Sequence, residues 1–324
     1  MAKGFIYANG RVNAEETQLL DGRMWQMLMS AGDEEEVLRL LGDTWYGSFM
    51  QYHSMEECFV RAIETTEDEL LELSEDRRLV RGILHRRDVR NARYIWKNAI
   101  FRKEVEERVE VERPGLLDID TLRGAVFSGQ ARDELPRLFS DTLEDLLEMD
   151  PDSLAAFDRK MDILAAEVEL EELTKIDPDF RQFVKTRMEQ KNFLIAGRCA
   201  MDEVPPQEMR DMLLPGGFHA PDEIAGSYQR GTLGELMEET SGFEELAIVF
   251  GDALERGSFY QFQRECDAML LEKLQKGAFP VFGPSPLAAF VIRREMEIRH
   301  LKLLLAAKSA GVGQDRLRKR LPRG

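Results

Sequence analysis

The pair Glu297-x-x-His300 is the one place in this sequence where a carboxylate and an imidazole have helix-face metal-ligand spacing. Residues three apart on a helix share a face, so both side chains could reach one ion. A di-iron or di-manganese centre in a helical bundle needs two such pairs and two further glutamates. Of the four histidines, His53, His85 and His219 follow Met50, Gly82 and Gly216 at that spacing, so the pair occurs once. Asp88-x-x-Asn91 and Glu189-x-x-Asn192 repeat the spacing with asparagine in the imidazole position, and asparagine is a poor transition-metal ligand. The six residues are therefore expected to be structural, each pair hydrogen-bonding a neighbouring helix or backbone. Loss of one partly buried partner, as in Asn91→Ala, should then cost about 1–3 kcal/mol.

Other reaction signatures are missing. The sequence has no GxxxxGK[ST] phosphate loop, no GxGxxG after a strand and no GxSxG elbow. Acidic runs such as Asp33 to Glu36 read as solvated helix faces. Neither a catalytic residue, a cofactor site nor a metal site is assigned.

The three pairs do mark a repeat. Asn91 to Pro114 is 23 residues, Asn192 to Pro215 is 23, and His300 to Pro322 is 22. Glycine follows at Gly115, Gly216 and, one residue late, Gly324. Gly115 to Gly129 and Gly217 to Gly231 are both 14, and each second glycine leads towards a leucine-bearing helix start, "GQARDEL" and "GTLGEL". The spacing predicts three helical repeats, 1–115, 116–216 and 217–324, in one compact module. Units of this size cannot bury their apolar faces alone, so neighbours must cover one another in a pseudo-threefold stack.

The elements that position these residues read as helices throughout, an all-α chain. Val37, Leu38, Leu40 and Leu41 fall on one helical face. Asp33 with Glu36, Ser74, Asp177 before Pro178, and Ser285 before Pro286 are the expected helix starts. No strand alternation or Asn-Gly hairpin competes. Trp25, Trp45 and Trp96 are expected in the core, and the apolar, proline-rich stretch 278–290 is either buried or a contact patch.

Sixty-one acids against 44 bases give a net charge of −17, which argues against nucleic acid as a partner and suits docking on a basic surface. The basic run 316–323 reads as a helix end whose cations favour the dipole. Cys58, Cys199 and Cys266 are odd in number and far apart, as expected for free thiols in a reducing cytoplasm. No apolar run approaches a membrane span, and "MAKGFIYANG" lacks a signal-peptide core.

Two segments carry a family resemblance: "FGPSPLAAFVIRREMEIRHLKLLLAAKSAG" (282–311) and "YANGRVNAEETQLLD" (7–21). With the Asp/Glu-x-x-Asn helices at 88–91 and 189–192, the chain resembles the C-subunit family of V/A-type ATPases (ATP synthases), related to the d-type subunit of the eukaryotic vacuolar ATPase. His300 and Ser285 depart from that pattern, which has asparagine and an acidic residue there. The resemblance implies a funnel of three similar helical subdomains around a pseudo-threefold axis. It implies a non-catalytic central-stalk rotor subunit on the cytoplasmic face of the membrane, without a span of its own. Its partners in the hetero-oligomeric complex would be the D- and F-type axle subunits and the membrane rotor ring proteolipid. The loops joining the repeats, with Gly115, Asp118, Asp120, Pro215, Gly216, Gly217 and Phe218, would be the interface candidates. A helical adaptor or scaffold unrelated to rotary ATPases is the alternative, and a metal-dependent helical enzyme ranks third.

Overall fold

The computed structural model describes residues 2–51, 54–74, 76–102, 115–129, 132–149, 153–175, 178–275 and 283–321. Every regular element among them is helical. In chain order they are α1 (Ala2–Glu15), α2 (Gly22–Ser30), α3 (Glu34–Gly42), α4 (Met55–Leu73), α5 (Arg77–Lys97), α6 (Ile119–Phe127), α7 (Arg137–Glu148) and α8 (Leu154–Leu173). Then come α9 (Pro178–Met201), α10 (Pro206–Met212), α11 (Pro221–Arg230), α12 (Leu233–Glu238), α13 (Glu244–Arg256), α14 (Tyr260–Lys273), α15 (Ser285–Ser309) and α16 (Gln314–Arg318). Shorter helices lead up to a long one in each of the runs α2 to α5, α6 to α9 and α11 to α15, and the first two runs end in two long helices. No described helix is long and apolar enough to cross a membrane.

Local chemistry sets the helix starts. The Asp33 carboxylate accepts from the Glu36 amide at 2.9 Å, and the Glu36 carboxylate reaches back to the Gly32 amide at 2.8 Å, so two free donors are satisfied at once. Asp21 and Ser54 cap α2 and α4 by accepting from the Met24 and Glu57 amides. Ser74 does not start α5. It ends α4, its amide bonded to the Leu70 carbonyl at 2.9 Å, and Asp76 caps α5 through the Arg78 amide at 2.8 Å. A carboxylate can also hold the Arg78 guanidinium, which a serine cannot. Ser285 is likewise not a cap but the first residue of α15. The Pro284 carbonyl already accepts from the Leu287 and Ala288 amides, so the helix begins before Pro286. Pro178 is the first residue of α9, while Asp177 lies outside the described residues. So do residues 278–282 of the proline-rich stretch, whereas 283–290 are described and Leu287, Ala288, Ala289 and Phe290 are buried.

The chain divides into two compact units. One comprises residues 1–75, 200–202 and 232–324, and the other 76–199 and 203–231. In the first, Trp25, Leu28, Val37, Leu41, Tyr46 and Phe59 pack with Leu301, Leu304, Leu317 and Leu321. The early helices thus share one core with the end of the chain. Helix α15 is buried on nearly all sides, which explains why its apolar residues follow no single stripe.

In the second unit, Val89, Ala92, Ile95 and Trp96 of α5 pack with Leu122 and Ala125 of α6, Phe139 and Leu143 of α7, and Phe157 and Met161 of α8. The buried Trp96 indole donates to the Leu122 carbonyl at 3.2 Å. Antiparallel α5 and α8 also carry a ladder of ion pairs: Arg81 with Glu172, Arg86 with Glu169, Arg93 with Asp162 and Lys97 with Asp158. The exposed rungs add little stability. Glu169 is more tightly held. Burial pushes its carboxyl pKa up, but the Arg187 and Arg86 guanidiniums outweigh burial and hold it below the usual range.

Candidate functional site

Each of the three acids that mark the sequence repeat lies on the last long helix of its run, and each is buried. Asp88, on α5, accepts from the Leu116 amide through Oδ2 and from the Leu117 amide through Oδ1, both at 3.1 Å. Glu189, on α9, accepts from the Phe218 and His219 amides through Oε2 at 2.8 and 3.3 Å. Glu297, on α15, accepts from the Leu20 amide through Oε2 at 2.6 Å. The held loops precede α6, α11 and α2 respectively. The first two acids therefore hold the loop that follows them in the chain. The third holds the corresponding loop at the chain's start.

A carboxylate suits this role because its two oxygens accept several amide donors that a loop cannot satisfy internally. The approach is close enough to require glycine. A Cβ on Gly115 would lie 2.1 Å from Asp88 Oδ1 and 2.3 Å from the Leu84 carbonyl oxygen. One on Gly217 would lie 2.1 Å from Glu189 Oε2. Gly216 adds a left-handed φ of 84°, and a Cβ there would run into the Leu170 side chain. These glycines bring backbone up to the carboxylates, whereas Leu116 and Phe218 turn outward, 44% and 40% exposed. Asp118 and Asp120 are exposed at the start of α6, and Pro215 precedes the tight turn at Gly216.

The second member of each pair has its own partner. Asn192 pairs with the backbone of Leu214 in both directions, donating at 2.9 Å and accepting at 2.8 Å. Asn91 is buried at the matching position of α5, and the segment just before Gly115 lies outside the described residues. His300 departs from that pattern: its Nε2 faces Asp267 at 2.9 Å, and its ring packs edge-on against Trp25. Glu297 and His300 thus turn to different neighbours. Among the described residues no group of three or more His, Cys, Asp or Glu side chains is placed to hold a metal ion. The three cysteines are buried and none is in a disulfide.

Three groups around these acids are not announced by the sequence. Tyr46 donates its hydroxyl to Glu297 Oε1 at 2.7 Å, and Arg294 donates Nη1 to the same oxygen at 2.8 Å. The Arg294 guanidinium is 1% exposed and lies 4.0 Å from the Trp45 ring centroid, a stacked cation. His219 sets Nδ1 2.5 Å from Glu189 Oε1. Arg294 could have been found, since it sits three residues before Glu297 on one helix face. Tyr46, 251 residues away, leaves no local signal.

Burial raises the carboxyl pKa of both Glu297 and Asp88. Burial pushes the Glu297 carboxyl up despite the Arg294 cation and its hydrogen-bond donors. Burial and the Glu297 charge push the Tyr46 phenol well above its ordinary value. Asp88 rises to about 6 because burial outweighs the two amide bonds and the Arg87 charge. A carboxyl raised by folding favours the folded state most below its unfolded pKa. That contribution is lost as pH rises through the folded value. Between about pH 4 and 6, wild-type stability should therefore fall relative to Asp88→Asn by on the order of 3 kcal/mol. Urea unfolding across that range checks this, and parallel pH profiles for the two proteins would contradict it.

The model of the family described as "ATP synthase (C/AC39) subunit" matches residues 8–320. The C-type subunit of the A-type ATP synthase of Methanocaldococcus jannaschii is similar as well, 22% identical over 344 aligned positions that cover 97% of this chain and 85% of that one.

Proposed function

This chain belongs to the ATP synthase (C/AC39) subunit family, and from that premise we propose that it is the non-catalytic central-stalk subunit of a V/A-type rotary ATPase or ATP synthase. It joins the central axle, of D- and F-type subunits, to the membrane rotor ring on the cytoplasmic face, and so couples rotation to ion movement. The family match over nearly the whole chain carries this reading.

The three pinned loops support it. A subunit that transmits torque must not shear between its parts, and a buried carboxylate bonded to loop amides resists that locally. The recurring helix order and the closure of the third acid on the first loop favour three repeats, 1–115, 116–216 and 217–324, around a pseudo-threefold axis. Such an arrangement presents similar surfaces at several angles to a ring of identical subunits. The loops around Gly115, Asp118, Asp120, Pro215, Gly216, Gly217 and Phe218 are the proposed contacts. Their exposed carboxylates suit the Lys- and Arg-rich cytoplasmic loops of a membrane ring. A stable contact of this kind buries more than about 1,000 Å².

Affinity capture of the tagged chain from its own membranes tests the reading. Axle subunits and ring proteolipid should come down together, with ring binding weakened by added salt. Recovery of the chain alone, or with unrelated partners only, would favour a helical adaptor.

A further inference from the structure

We propose that the surface of α16 and of residues 319–321 is a docking patch for anionic phospholipid headgroups. Residues 315–320 contain four bases and one acid, in a chain whose net charge is −17. Arg316, Arg318 and Lys319 are exposed. With Arg320 they form no ion pair with any described residue, although the chain carries 61 carboxylates. Cations serving only to neutralise a helix end in so acidic a protein would be expected to meet some of those carboxylates.

The patch is held rigidly. Leu317 and Leu321 are buried in the core with α2, at 0% and 1% exposure, so the intervening basic side chains point outward. Arg264 donates to the Arg318 carbonyl at 3.0 Å, and the Gln314 amide donates to the Ser30 hydroxyl at 3.0 Å. Fixing the backbone lowers the ordering cost of binding.

Two features favour a lipid surface over an acidic polypeptide. Arg320 lies 3.8 Å from the ring centroid of Tyr260, which is itself 51% exposed. Tyrosine beside basic residues is the combination that settles at headgroup depth. Next to the basic run an open cleft of about 530 Å³, lined by Gly311, Val312, Gly313 and Arg316, offers room for a phosphate headgroup. The inference rests on the proposed function only for the nearness of a membrane. The test below contains neither axle nor ring, so the two can fail separately.

The full-length chain is sedimented with phosphatidylcholine vesicles, with or without one third phosphatidylglycerol, at low salt. Binding is expected to the anionic vesicles alone and to fade with added salt. Each cation near an anionic surface contributes about fivefold in partitioning. The variant R316Q/R318Q/K319Q should therefore bind on the order of a hundredfold less. It should keep the wild-type circular dichroism, because the three side chains are exposed and form no ion pair with a described residue. No binding to anionic vesicles, or equal binding by the variant, overturns the proposal. So does binding to polyglutamate without binding to vesicles, which would assign the patch to an acidic polypeptide.

Discussion

Glu297→Ala is expected to lose about 3–5 kcal/mol of stability in urea unfolding, because it strands a buried cation. Arg294 is 1% exposed, and Glu297 is the carboxylate its Nη1 meets, at 2.8 Å. Removing that carboxylate also leaves the Tyr46 hydroxyl and the Leu20 amide without the acceptor they now share. Stacking on Trp45 softens the cost of the stranded guanidinium but does not supply a negative charge. The double variant Arg294→Met/Glu297→Ala should therefore lose less than Glu297→Ala alone, since a buried pair replaced together costs less than one partner removed. Cleavage by a protease near Leu20 should rise in the single variant as the loop before α2 comes free. A loss below about 1 kcal/mol for Glu297→Ala would show that the site relaxes around Arg294 and that the loop is held by other contacts.

Gly115→Ala is the second large effect, about 2–4 kcal/mol, from overpacking together with lost hydrogen bonds. The new Cβ would sit 2.1 Å from Asp88 Oδ1 and 2.3 Å from a main-chain oxygen of α5. The first atom could swing away only by giving up the Leu116 and Leu117 amides, and the second belongs to helix backbone. Gly217→Ala meets Glu189 Oε2 in the same way and should behave alike. Gly251→Ala on α13 is the control. Nothing lies within 4 Å of its Cβ, and a helical alanine should stabilise by about 0.5–1 kcal/mol. Thermal or urea unfolding of the three variants separates the cases. Near-neutral Gly115→Ala and Gly217→Ala would mean that close approach to the carboxylates is not why glycine stands there.

The parts legible in the sequence are those with local causes. Helix class follows from apolar spacing, and the Asp33 and Glu36 start follows from two side chains three apart that satisfy each other's backbone. The spacing of Asp88, Glu189 and Glu297 was legible because a repeated unit repeats its intervals. What each acid holds was not, since the amides lie 28 to 30 residues downstream for the first two and 277 residues upstream for Glu297. Gly115 and Gly217 were legible only as repeat markers and loop residues, while their close approach to carboxylates exists only in the folded chain. Ser74 misled because serine and aspartate two residues apart are both good caps, and only the nearby Arg78 guanidinium decides between them. Helix α15 has charged residues all round and no single apolar stripe, so its pattern does not say which of them are buried, and Glu297 stands out only through its spacing to His300.

A chain that couples rotation to ion movement without doing chemistry itself should be dispensable for ATP hydrolysis and required for transport. ATP hydrolysis and ATP-driven ion uptake are therefore to be compared in membrane vesicles lacking the chain and in the same vesicles supplied with it. Hydrolysis is expected to continue without the chain, uptake to fall to background, and wild-type protein to restore uptake. Undiminished ion uptake in its absence would contradict the coupling role.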